Sequence, residues 1–140
     1  RGYTERMIPL PLLPVLAAGL VPFLVGAFWY HPRVFGSQWM RLKHITPEMA
    51  ERSSRLALHS TATMVILGII ASLIMSRVLT ALEIDMLGGA VLTAFSIWIA
   101  FVVPATINRV LWDHIAFRLY LIESGQWLVS LIIMAIVLAY

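Results

Sequence analysis

No cysteine occurs in the chain, which excludes both a disulfide framework and a thiolate metal centre. Charge is scarce as well: Asp, Glu, Lys and Arg make up 12% of the residues, where about 25% is usual for a globular domain. Acidic side chains number 7 and basic ones 10. An excess of that size, unevenly placed along the chain, fits membrane orientation better than nucleic-acid binding, and no nucleic-acid partner is expected. Catalytic signatures are missing too. There is no Gly-x-Ser-x-Gly, no His-Glu-x-x-His and no phosphate-binding glycine loop, so a non-catalytic protein without a cofactor is expected. What the chain has in abundance is apolar surface: 61% of residues are hydrophobic and the mean hydropathy is +0.90.

That surface falls into four runs, 7–30, 56–76, 86–107 and 119–140, each of 21 to 24 residues. A bilayer core needs about 20 helical residues, and lipid leaves no partner for an unpaired backbone, so runs of this length must be helices. None alternates as a strand would. The first run is too long for a signal peptide, and the basic loop after it has no small-residue cleavage pattern. The expected fold is therefore an all-α integral membrane protein, a single domain over 1–140. Four transmembrane helices at approximately 9–30, 47–80, 86–108 and 119–140 form an up-down bundle, with an interfacial loop at 31–46.

Lysine and arginine counts orient it. Arg1, Arg6 and Arg77 flank one side; Arg33, Arg41, Lys43, Arg52, Arg55, Arg109 and Arg118 flank the other. Both termini are expected outside and both basic loops in the cytoplasm of a bacterial inner membrane. Thr46-Pro47-Glu48 has the pattern of a helix start, N-cap then proline then acid. Glu48/Arg52 and Glu51/Arg55 follow as i,i+4 pairs. Helix two should accordingly project past the membrane into the cytoplasm.

The first loop is unusual. In "GAFWYHPRVFGSQWM", residues 26–40, aromatics close helix one, His31-Pro32 breaks it, and apolar side chains then interleave with cations. Rings with a polar tip suit the headgroup level. Trp29, Tyr30, Phe35, Gly36 and Trp39 are expected to act as one structural cluster, folding the loop under the cytoplasmic ends of helices one and two, with Gly36 where no side chain fits or where φ is positive.

These residues resemble the domain-of-unknown-function 1761 family of small four-helix bacterial membrane proteins. Gly26, Trp29–Tyr30, Phe35–Gly36 and Trp39–Met40, followed by the Thr-Pro-Glu helix start, match its first signature. "LYLIESGQWLVSLIIMAIVLAY" is similar to its last helix. His31 and Arg33 depart from its pattern. The resemblance implies an architecture and carries no activity with it.

Other candidates follow from spacing. Gly68, Ser72 and Ser76 form a small-xxx-small face on helix two, and Gly89 through Pro104 line one side of helix three, as helix-packing surfaces require. Glu123 and Gln126, about a turn apart, are placed to meet Asn108 or Arg109 in a structural polar cluster. His31, His59 and His114 are weak candidates for a histidine-ligated haem or metal, because no two histidines share a face at i,i+4 and no carboxylate motif accompanies them. The span centres hold no ionisable residue, which disfavours coupled ion transport. The expected role is an accessory subunit or self-associating assembly protein of a larger membrane complex. The alternative is a binder or carrier of a hydrophobic small molecule or lipid between helices.

Overall fold

The computed structural model describes residues 12–54 and 57–140. The Glu51/Arg55 pair and the junction that would make helix two continuous lie outside the described residues. Everything regular among the described residues is helical, and four helices are long and apolar enough to cross a membrane: Leu12–Trp29, Ala57–Ala81, Leu87–Leu111 and Phe117–Ala139. The first span is α1 (Leu12–Trp29). A π-helical turn (Pro32–Gly36), α2 (Ser37–Leu42) and α3 (Pro47–Ser54) lead to α4 (Ala57–Ala81), the second span. The third span comprises α5 (Leu87–Ile97), a second π-helical turn (Trp98–Val102) and α6 (Val103–Leu111); α7 (Phe117–Ala139) is the fourth.

The spans are not packed equally. α1 lies against α4 and α7, and α7 also receives α4 and the whole third span. α7 is thus the shared neighbour. The closest approach is between α1 and α4, where small residues let two backbones meet. A Cβ on Gly68 would overlap the Gly19 carbonyl oxygen, and one on Gly19 would stand 2.8 Å from the Ile69 Cα. Ser72 Oγ donates to the Val15 carbonyl at 2.8 Å. The face expected to admit another helix is therefore filled by the chain's own first span. Away from the basic loops, Ala18, Met75, Leu79, Ala90, Ala94, Met134 and Ala135 from all four spans make one buried cluster.

The two irregular turns have local causes. Pro104 has no N–H, and its ring would press on the carbonyl four residues earlier. The third span widens just upstream, where Val103 N–H donates to the Trp98 carbonyl, five residues back. Pro32 likewise holds His31 extended (φ −63, ψ 139), and the π turn winds on from there. Between the second and third spans Glu83 is left-handed (φ 53). Its N–H donates to Thr80 O at 3.1 Å and that of Ile84 to Leu79 O at 3.0 Å, a Schellman termination. Gly89 packs on the Ile84 side chain in that turn, 2.9 Å separating its would-be Cβ from Ile84 Cγ2. At α3, Thr46 Oγ1 accepts from Met49 N–H at 3.3 Å, and hydrogen bonding by the Thr46 hydroxyl holds the exposed Glu48 carboxyl below the usual range.

Candidate functional site

The loop after α1 does not drape over the surface. His31 Nδ1 accepts from Arg33 N–H at 3.2 Å, and the His31 carbonyl accepts from Val34 and Gly36 at 2.9 and 3.1 Å. This winding brings Gly36 onto the Tyr30 carbonyl so closely that a Cβ would overlap the oxygen. Its φ of −59 is ordinary. Close approach, and not a left-handed backbone, is what calls for glycine here. The chain then turns back, pairing Trp29 with Phe35 (centroids 4.7 Å apart) and Tyr30 with Trp39 (5.2 Å).

The far partners of this loop are on α7. Trp39 Nε1 donates to Glu123 Oε1 at 3.2 Å, and Lys43 Nζ, 4.7 Å above the Trp39 ring centroid, pairs with the same oxygen at 3.1 Å. Arg109 Nη1 takes Glu123 Oε2. Trp29 Nε1 donates to the Ile122 carbonyl at 3.0 Å and Trp98 Nε1 to the Ser124 carbonyl at 2.9 Å. Three indoles from three segments thus reach three consecutive residues of one helix. Burial, with Glu123 nearby, pushes the Tyr30 phenol up to about 12, so it stays protonated at any physiological pH.

Chemically this is a clamp. Both carboxylate oxygens of Glu123 are engaged, by two cations and an indole, and together they fasten the first loop and the end of the third span to the start of α7. The structure brings Arg109 and Glu123 together but leaves Asn108 exposed. Gln126 turns to the first span instead, its Nε2 lying 3.4 Å from the Pro22 carbonyl and 3.1 Å from Ser130 Oγ. Lys43 and Trp98 were missed. An indole inside an apolar run needs an acceptor, which is the signal that singles out Trp98. Its N–H is open to test. Trp98→Phe keeps the ring and loses one hydrogen bond, and should cost about 1 kcal/mol in detergent unfolding. Trp112→Phe, at a residue that is 78% exposed, should melt with the parent. Equal melting of both variants would remove Trp98 from the clamp.

The histidines are scattered. His31 is exposed and caps its own turn. His59 is exposed on α4. His114 lines a cleft with His44. Among the described residues, no group of three or more His, Cys, Asp or Glu is arranged to hold a metal. Between α1, α4 and α7 lies an apolar cavity of about 130 Å³, lined by Pro22, Met64, Gly68, Trp127, Ser130 and Met134 among others.

A family model described as "Protein of unknown function (DUF1761)" matches residues 13–139. The chain belongs to the DUF1761 family. No curated protein and no solved structure matches it. The DUF1761 match takes in all four spans and the loop between the first two. Trp29, Gly36 and Trp39, on which the resemblance to DUF1761 rested, are the residues that bend the first loop and fasten it to α7.

Proposed function

We propose that this DUF1761 protein is a non-catalytic membrane component that associates, through its third span, with a second copy of itself or with a larger membrane complex. One observation carries the reading. Over an apolar window of 18 residues in the third span 11% is buried, against 28%, 28% and 33% in the first, second and fourth. Its uncovered side carries Thr93, Ser96 and Ala100 between the larger Leu92 and Phe101, and together with Val78 of α4 and Leu82 just past its end they border an open groove of about 400 Å³. Small side chains contribute little to acyl-chain contact but admit a neighbouring helix closely. Because the chain has no cysteine, single cysteines are unique probes. Ser96→Cys in native membranes should cross-link into a dimer or a heteromer, told apart by mass, whereas Ile70→Cys on the outer side of α4 should not. Monomer at both positions would overturn the assignment.

The orientation proposed with it, termini outside a bacterial cytoplasmic membrane and basic loops inside, is supported by the division of basic residues between the two ends. Cysteines at Ser37 and Asp85 should then label from opposite faces, and same-face labelling would reverse it. The apolar cavity beside Gln126 favours a second reading, retention of a lipophilic molecule between α1, α4 and α7. Its size accommodates a ring or a chain end. A single small molecule that copurifies and is lost on Met64→Trp, which fills the cavity from its side-chain wall, would favour this reading over association.

A further inference from the structure

We propose that the cleft between the two basic loops holds the headgroup of an anionic glycerophospholipid of the phosphatidylglycerol type. The cleft has a volume of about 640 Å³ and is bordered by Arg41, Leu42, His44, Asp113, His114 and Leu119. It opens where the third span ends at Leu111 and the fourth begins at Phe117, at the boundary between apolar and polar chain, where headgroups lie. This location does not depend on which side of the membrane the loops face, nor on the association proposed above.

Backbone strain marks the place. Among the described residues three other than glycine have positive φ: His44, Glu83 and His114, each at 53°. His44 ends α2 in a Schellman motif, its N–H donating to Arg41 O at 3.2 Å and that of Ile45 to Met40 O at 3.0 Å. Glycine is the usual residue there, and an L side chain is strained in this conformation. Two of the three strained residues are histidines, and both border the same cleft. Strain tolerated for a particular side chain points from the backbone to a use for that side chain.

The use follows from the donors. An imidazole N–H donates to a phosphate oxygen whether or not the ring is charged. Arg41 makes no ion pair among the described residues, so its guanidinium fork is available for two phosphate oxygens. Lys43 and Arg109 share the single carboxylate of Glu123, so their group keeps a positive charge close by. Among the described residues Asp113 is the one carboxylate bordering the cleft. It opposes a bare phosphate but accepts from hydroxyls, which a glycerol headgroup supplies beside its phosphodiester. Leu42, Ile115, Ala116 and Leu119 form the apolar wall for the glycerol ester region. Trp112, exposed next to Asp113, is placed at the interfacial level that indole rings favour.

The test is a titration of the purified full chain in detergent with dioleoylphosphatidylglycerol, read by native mass spectrometry. Arg41→Gln and His114→Gln should each weaken binding by about tenfold. His44→Gly is the decisive variant. It removes an imidazole and relieves the left-handed strain together, so it should melt at or above the parent temperature and still bind the lipid about tenfold more weakly. A His44→Gly protein that binds as the parent does would overturn the proposal, as would equal affinity for dioleoylphosphatidylethanolamine. Displacement of the lipid by equimolar glycerol phosphate or inorganic phosphate would assign the cleft to a soluble phosphate and likewise overturn it.

Discussion

Gly36→Ala is expected to lower the melting temperature sharply, although alanine suits the backbone there better than glycine does. Gly36 sits at φ −59, ψ −44, where adding a methyl ordinarily stabilises by about 0.4–1 kcal/mol through the unfolded chain. The sign reverses because of what the methyl meets. It would overlap the Tyr30 carbonyl oxygen and lie 2.8 Å from the Tyr30 carbonyl carbon and 3.0 Å from that of His31. All three atoms are backbone and cannot swing away as a side-chain tip does. Overpacking against such a wall costs typically 1–3 kcal/mol. Opening the π turn would also withdraw Trp39 and Lys43 from Glu123. We expect a loss of about 3 kcal/mol. Thermal unfolding in detergent reads it, and a Gly36→Ala protein as stable as the parent would mean that the loop does not fold back.

Gly68→Ala should be comparably damaging for a different reason. Its methyl would enter the Gly19 carbonyl oxygen and approach Pro22 Cδ at 3.7 Å, so α1 and α4 must separate. Separation stretches the 2.8 Å bond from Ser72 Oγ to the Val15 carbonyl and loosens the tightest helix pair in the molecule. A cost of about 2–3 kcal/mol is expected. Gly88 is the internal control: a Cβ there meets nothing within 4 Å, so Gly88→Ala should be neutral or stabilising by up to about 1 kcal/mol. If Gly68→Ala and Gly88→Ala behave alike in the same assay, the close α1–α4 contact is not formed.

The four spans were legible because lipid imposes length and apolarity on each segment separately, whatever its neighbours are. Which span faces which was not. A span apolar on all sides has no polar face to betray its partner, as it would in water. The first loop shows the consequence. Its aromatic spacing announced a fold-back, yet its acceptors are on α7 and not at the ends of helices one and two. By sequence Lys43 is one more orienting cation of a basic loop, and nothing local distinguishes a lysine that will find Glu123, 80 residues away in sequence. Helical phase groups Gln126 with Glu123. One turn deeper, however, the available acceptor is the Pro22 carbonyl of the first span. The widened turn at Trp98–Val102 has a local sign, Pro104, but the spacing of that residue fits the packing stripe of helix three equally well. His44 sits in no motif that singles it out. Its left-handed backbone becomes visible only once α2 ends where glycine would be expected.

The indoles reaching Ile122, Glu123 and Ser124 also impose an order on biogenesis. Trp29, Trp39 and Trp98 leave the ribosome before any of those three residues. Until α7 has been synthesised and inserted, none of these N–H groups has its acceptor, and Lys43 and Arg109 have no carboxylate between them. The basic-loop end therefore cannot assemble in step with translation. The clamp can close only when the fourth span arrives as keystone.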